Sequence, residues 1–121
     1  MSKTILIVDD SPTMRRMVAE VLRSAGYTVI EGCNGEDALR RINEQRVDLV
    51  ITDFNMPVMN GPALVVQLRA RPASRLTPIV VLTTEIEADR KQEGNAAGAT
   101  GWMVKPFNPA KLLQVVSRLV P

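Results

Sequence analysis

Asp9 and Asp10 follow one short apolar run, Asp53 closes a second, Thr83 closes a third, and Lys105 follows a fourth. Three carboxylates, a hydroxyl and an ammonium brought together could handle a phosphoryl group. Clustered carboxylates repel one another: two of them about 5 Å apart cost roughly 3 kcal/mol at an effective dielectric near 20. A divalent cation offsets that cost. A small set of oxygen-only ligands suits Mg²⁺, which keeps waters and shares a phosphate oxygen with the protein. A carboxylate beside such an ion can act as a nucleophile toward phosphorus and become an aspartyl phosphate. Thr83 and Lys105 could then bind the phosphoryl oxygens, Lys as a point charge. Each residue also has a plainer explanation. Asp10 before Ser11-Pro12 could be helix-start chemistry, Asp53 a turn former, Thr83 a cap and Lys105 a solvated side chain. Their shared position at strand ends favours the joint explanation.

The elements that must position them alternate along the chain. Apolar runs at Thr4–Val8, Thr28–Glu31, Asp48–Asp53, Pro78–Thr83 and Thr100–Val104 read as strands. Between them lie segments with apolar residues at helical spacing. Ser11-Pro12 starts the first helix, which carries Met14, Met17, Val18, Val21 and Leu22 and ends at Gly26. Asn34 caps a second helix, Pro62 opens a third, 85–97 reads as a weak fourth containing Gly94, and Pro109 opens the last. Continuous Val/Ile/Leu strands are buried on both faces, as in a parallel sheet. Five strand–helix units predict a doubly wound α/β fold with helices on both faces, in a single domain over 1–121. Sites in such sheets lie beyond the carboxyl ends of the strands, where all the candidate residues fall.

Composition narrows the function. The 121 residues are 45% hydrophobic and 23% charged, as expected of a globular domain. No apolar run reaches the roughly 18 residues of a membrane span. A single cysteine, Cys33, forbids an internal disulfide and fits a cytosolic setting. A net charge of +2 is too weak to imply nucleic acid. With no histidine, the chain holds no His-containing triad, His-ligated metal or phosphohistidine.

The segments ILIVDDSPTMRRM at 5–17, DLVITDFNMPVMNG at 48–61, PIVVLTTE at 78–85 and GATGWMVKPF at 98–107 carry a resemblance over essentially the whole chain. In that order they resemble the receiver domain of two-component response regulators, most closely the single-domain chemotaxis CheY type. The resemblance implies strand order 2-1-3-4-5. It implies that Asp53 is the phosphoacceptor, that Asp10 binds Mg²⁺ directly and Asp9 mostly through water, and that Asn55 gives the metal its backbone carbonyl. Thr83 matches the switch hydroxyl, Lys105 the phosphate-binding lysine and Trp102 the switch aromatic. Glu85 and the Asn55 side chain match positions that tune hydrolysis of the acyl phosphate, and the Lys105-Pro106 peptide is implied to be cis. The donor histidine would belong to a sensor histidine kinase, CheA-like in this family, and the output partner would be a flagellar motor switch component. The expected protein is a cytoplasmic monomer that is not itself an enzyme, with no nucleic-acid or membrane partner.

Two rival functions share these residues. One is a phosphate sink or a phosphorelay shuttle. The other is an aspartyl-phosphate hydrolase, but haloacid-dehalogenase-type phosphatases carry Asp-x-Asp after the first strand, which Asp9-Asp10-Ser11 does not match. Outside the site, Cys33 is expected to be a small buried core residue, the methionines to be packing and loop anchors, and Phe54 a partly buried hydrophobe. Arg15-Arg16 and Arg40-Arg41 are expected on solvated helix faces.

Overall fold

A computed structural model describes residues 2–84, 98–106 and 108–121. The expected helix over 85–97, and Glu85 with it, lies outside these. The described chain runs β1 (Thr4–Val8), α1 (Pro12–Ser24), β2 (Thr28–Gly32), α2 (Gly35–Glu44), β3 (Leu49–Asp53), α3 (Gly61–Arg69), β4 (Ile79–Thr83), β5 (Gly101–Val104) and α4 (Pro109–Leu119). The strands form one parallel sheet in the order β2-β1-β3-β4-β5, as the resemblance implies.

The period-2 alternation of the strands divides the core into two. Ile5, Ile7, Leu49, Ile51, Val80, Leu82 and Met103 face Val18, Leu22, Leu112 and Val116 of α1 and α4. Leu6, Val8, Val50, Ile79 and Val81 face Ala38, Ile42, Leu64, Val65 and Leu68 of α2 and α3. Both faces being apolar, the strands must be covered on both sides, and β3 and β4 are buried along their full length.

Every described helix starts on a side-chain cap. Ser11, Asn34, Asn60 and Asn108 accept the backbone N–H of Met14, Asp37, Ala63 and Lys111 respectively. Each such cap stabilises a helix end by about 1 kcal/mol. At α2 a second bond reinforces the cap, with Asp37 Oδ2 accepting the N–H of Cys33, the residue before Asn34, at 3.0 Å. Burial pushes the Asp37 carboxyl up, but the Cys33 N–H and the Arg41 and Arg40 guanidiniums outweigh it, and the net shift is downward. Arg69 at the end of α3 ties distant backbone together. Its guanidinium donates to the carbonyls of Ser74, Arg75, Thr77 and Gly98 and to Thr100 Oγ1.

Some expectations are corrected by position. Cys33 is exposed, because its place in the two-residue turn before α2 uses its backbone, not its side chain. Met17 is 50% exposed, on the outward side of α1, whereas Met56 and Met103 are buried. Phe54 is fully buried at 1% exposure, since the residue after β3 still continues the ladder through its N–H to Leu82 O at 2.8 Å.

One glycine governs how closely α3 can approach the end of β3. A Cβ at Gly61 would come within 2.7 Å of the Asp53 carbonyl oxygen and 3.0 Å of the Phe54 Cα, both backbone atoms that cannot swing aside. At Gly101 the same atom would meet nothing within 4 Å. Gly61→Ala should therefore cost about 1–3 kcal/mol, the range for overpacking, whereas Gly101→Ala should lie within roughly 0.5 kcal/mol of the parent. Urea unfolding of the two variants checks the difference.

Candidate functional site

Sheet register assembles the site. Val8 pairs with Thr52, Asp53 with Leu82 and Thr83 with Val104, so the carboxyl ends of β1, β3, β4 and β5 finish level. Asp9, one residue past β1, is held by its N–H to Gly32 O at 3.1 Å, and its Oδ1 accepts the Ser11 N–H at 2.9 Å. Asp9, Asp53 and Thr83 are buried, at 3%, 7% and 1% exposure, while Asp10 faces solvent. Lys105, just beyond β5, donates from Nζ to Asp53 Oδ1 at 2.5 Å. Three of the five candidate side chains are thus inside the fold, where charge matters most.

One carboxylate oxygen from each of Asp9, Asp10 and Asp53 lies within 4.8 Å of the others. Ligand oxygens about 2.0–2.1 Å from a common Mg²⁺ would be separated by roughly 3–4 Å, so a small contraction suffices. The donor set is oxygen-only and carries three formal negative charges, and its exposed member opens it to solvent. These features fit Mg²⁺ better than a softer ion. The electrostatics agree. Burial pushes the Asp9 carboxyl above its ordinary value; the Ser11 N–H opposes this, Asp53 and Asp10 add to it, and Lys105 opposes it.

The remaining candidates flank this cluster. The Thr83 hydroxyl donates to Thr84 O at 3.2 Å, and the Thr83 carbonyl accepts the Lys105 N–H at 2.6 Å. The Lys105-Pro106 peptide is cis. Trp102 is half-buried on the α2/α3 side of the sheet, its ring centroid 6.0 Å from that of Phe54, with Met103 on the opposite face. Asn55 is exposed on the loop two residues past Asp53. A recess of about 250 Å³ adjoins Asp10 and is walled by Asn34, Gly35, Pro57, Val58 and Met59. The largest recess described, about 630 Å³, lies at the opposite end of the strands, between Ile42–Asp48 and Pro72–Thr77, remote from the carboxylates.

The sequence reading missed Arg15. Read as part of a solvated pair, it is only 14% exposed in its side chain and donates from Nη1 to the Asp9 carbonyl at 2.8 Å and from Nε to Glu31 Oε1 at 3.1 Å. A usable signal was present: a long side chain in the first turn of a helix points back toward the residues that precede it.

The family model of the response regulator receiver domain matches residues 5–117. A chemotaxis protein CheY of Pseudomonas aeruginosa is 36% identical over 116 residues, 95% of this chain and 94% of that protein. The structure of the chemotaxis response regulator CheY4 of Vibrio cholerae superposes with a TM-score of 0.93 at 45% identity, covering 99% of this chain and 100% of that one. The receiver domain of a Pseudomonas aeruginosa sensor histidine kinase, whose structure has a magnesium ion coordinated in the active site cleft, superposes with a TM-score of 0.90 at 30% identity and covers 98% of each chain.

The raised Asp9 carboxyl has a sign that can be measured. A carboxyl whose folded pKa exceeds its unfolded one stabilises the fold below the unfolded value and loses that contribution as pH rises through the folded value. Without metal, Asp9→Asn, which keeps an oxygen for the Ser11 N–H, should lack this loss and be more stable than the parent at pH 7 but not at pH 3.5. Excess Mg²⁺ should reverse the order at pH 7. Denaturant melts at both pH values, with and without Mg²⁺, test it.

Proposed function

This chain belongs to the response regulator receiver family, and from that premise we propose that Asp53 accepts a phosphoryl group from a phosphohistidine of a sensor kinase of the CheA-like kind. The chain acts as a two-component response regulator, a signalling switch rather than a metabolic catalyst. We take residues 1–121 as one receiver domain. Among the described residues no helix is long and apolar enough to cross a membrane, and we assign the switch to the cytoplasm as a monomer.

In the transfer, an Asp53 carboxylate oxygen attacks phosphorus, the phosphorus–nitrogen bond to the donor imidazole breaks, and the imidazole nitrogen keeps the bonding pair. Mg²⁺, when bound by Asp10 and Asp53, by Asp9 mostly through water and by the Asn55 carbonyl, would neutralise the carboxylates and the charge on the transferring group. Lys105 Nζ, already on Asp53 Oδ1 at 2.5 Å, shifts onto a phosphoryl oxygen. The Thr83 hydroxyl turns from Thr84 O toward a second phosphoryl oxygen. Because β4 and β5 are paired there, that movement is felt at Trp102, whose inward rotamer gains packing space. The surface around β5 and α4 changes with it and alters affinity for an output protein, in this family a flagellar motor switch component. Water later hydrolyses the acyl phosphate, and the Asn55 side chain and Glu85 set that rate.

The observation that carries this reading is the Lys105–Asp53 pair inside the three-carboxylate cluster. An acidic cluster alone could serve only a cation. An ammonium hydrogen-bonded to one of its oxygens adds a group that binds a phosphoryl oxygen, and marks Asp53 as the carboxylate that receives it. The small recess beside Asp10 suits a phosphoryl group brought by a macromolecule better than an engulfed organic substrate.

Acetyl phosphate with Mg²⁺ should add one hydroxylamine-labile phosphoryl group, read by intact mass, and Asp53→Ala should abolish it. A label on Ser11, Thr83 or Thr84 instead would remove the aspartyl mechanism.

Thr83→Ala should leave Asp53 phosphorylatable but uncouple the switch. Beryllofluoride with Mg²⁺ should change Trp102 fluorescence in the parent and do so much less in the variant. A change from 1:99 to 99:1 needs roughly 5.5 kcal/mol of differential interaction, so the parent is expected to shift only in part until an output partner binds.

A further inference from the structure

Asp10 is the exposed member of the carboxylate cluster, and among the described residues its side chain makes no hydrogen bond or ion pair. Its aim therefore rests on its backbone. The carbonyl of Asp9 belongs to the Asp9–Asp10 peptide, whose plane is rigid, so the direction of that carbonyl fixes how Asp10 leaves the main chain. Arg15 Nη1 donates to this carbonyl at 2.8 Å. Arg15 is itself held. Its Nε donates to Glu31 Oε1 at 3.1 Å, and Glu31 Oε2 accepts Arg23 Nη1 at 3.4 Å, while Arg23 Nη2 donates to Val29 O at 3.1 Å. A continuous chain of donors and acceptors thus runs from the edge strand β2 to the peptide that carries the acidic pair.

A half-buried cation is an odd neighbour for a cation site. By charge alone, a guanidinium beside Asp9 and Asp10 should repel Mg²⁺ and weaken its binding. Glu31 supplies an opposite charge at Nε, shared with Arg23, while Nη1 serves Asp9. The arrangement keeps Arg15's directed hydrogen bond and offsets its charge. We propose that Arg15, oriented and partly neutralised by Glu31, is a positioning residue that aims the Asp10 carboxylate at a divalent cation. This rests on the Mg²⁺-dependent reading above and adds residues outside the cluster to it.

The charge argument gives the test an unambiguous sign. Removing a bystander cation should tighten Mg²⁺ binding or leave it alone. Removing a positioning residue should weaken it, by roughly tenfold and within the 10–100-fold range seen when groups that orient metal ligands are lost. Mg²⁺ would be titrated into the full chain, without any phosphodonor, and followed by amide NMR shifts at a temperature where every variant is folded. Arg15→Ala should raise the dissociation constant about tenfold. Arg15→Lys, which keeps a donor and the charge but not the fork that reaches Glu31 and Asp9 together, should recover part of that loss. Arg16→Ala removes the same charge from the exposed neighbouring position and should leave binding unchanged or tighter. If Arg15→Ala does not fold, Arg15→Met, which fills the space without a donor, carries the same comparison. An Arg15 variant that binds Mg²⁺ as tightly as the parent, or that behaves like Arg16→Ala, overturns the proposal while leaving Mg²⁺ binding intact. A parent that shows no Mg²⁺-dependent shifts overturns the function reading and this proposal with it.

Discussion

Three carboxylate oxygens held within 4.8 Å of one another, two of their side chains buried, impose the condition that the rest of this fold satisfies. Such a group flies apart in a flexible chain and is tolerable only where backbone on several sides holds it. Here the parallel sheet does the holding. Asp9 is locked to β2 through its N–H, Asp53 is the last residue of a fully buried strand, and α3 closes on the Asp53 carbonyl at a position that only glycine allows. The Lys105 ammonium offsets part of the repulsion inside the pocket. The Asp9 carboxyl is pushed above its ordinary value, first by burial and then by the Asp53 and Asp10 charges, so it ionises less readily. A bound cation would draw on that unbalanced charge and, by offsetting it, would let an anionic phosphoryl group approach the same cluster.

The same register that assembles the site links it to Trp102 and the edge strand β5. Thr83 and Val104 are paired residues, and the Lys105 N–H donates to the Thr83 carbonyl. Thr83 and Lys105, the two residues proposed to bind the phosphoryl oxygens, are therefore neighbours across two adjacent strands. Trp102 sits two pairs further back, opposite Val81, against Phe54, which itself follows Asp53. Asp53, Thr83 and Trp102 thus lie within two residue pairs of one another on the adjacent strands β3, β4 and β5.

Much of this was legible in the chain. The strands read as unbroken Val/Ile/Leu runs because both faces are buried, and each described helix carries its own cap at Ser11, Asn34, Asn60 or Asn108. Strand ends are where a parallel sheet gathers chemistry, so Asp9, Asp10, Asp53, Thr83 and Lys105 could be grouped before any coordinates were known. Strand order could not come from periodicity, which is local; it came from the resemblance. Nor could periodicity tell that Cys33 faces out or Met17 faces solvent, since both turn on which side of a turn or helix a neighbour happens to cover. Arg15 was missed for the same reason: its partners, the Asp9 carbonyl just past β1 and Glu31 on β2, come from separate parts of the chain, and composition alone makes an Arg-Arg pair look solvated.

Arg69 bears on how any such change can travel. Its guanidinium gathers the carbonyls that lead into β4 with the Gly98 carbonyl and the Thr100 hydroxyl that lead into β5. Burial lowers its proton affinity from the usual arginine value, and among the described residues its hydrogen-bond partners are carbonyls and a hydroxyl. In mechanical terms this is a clamped end. Two adjacent strands are pinned together where they begin, while their far tips carry Thr83 and Lys105. A pair of rods fixed at one end cannot slide past each other; a push at the free tips can only tilt or twist them. The amplitude then grows with distance from the clamp and is greatest at the tips.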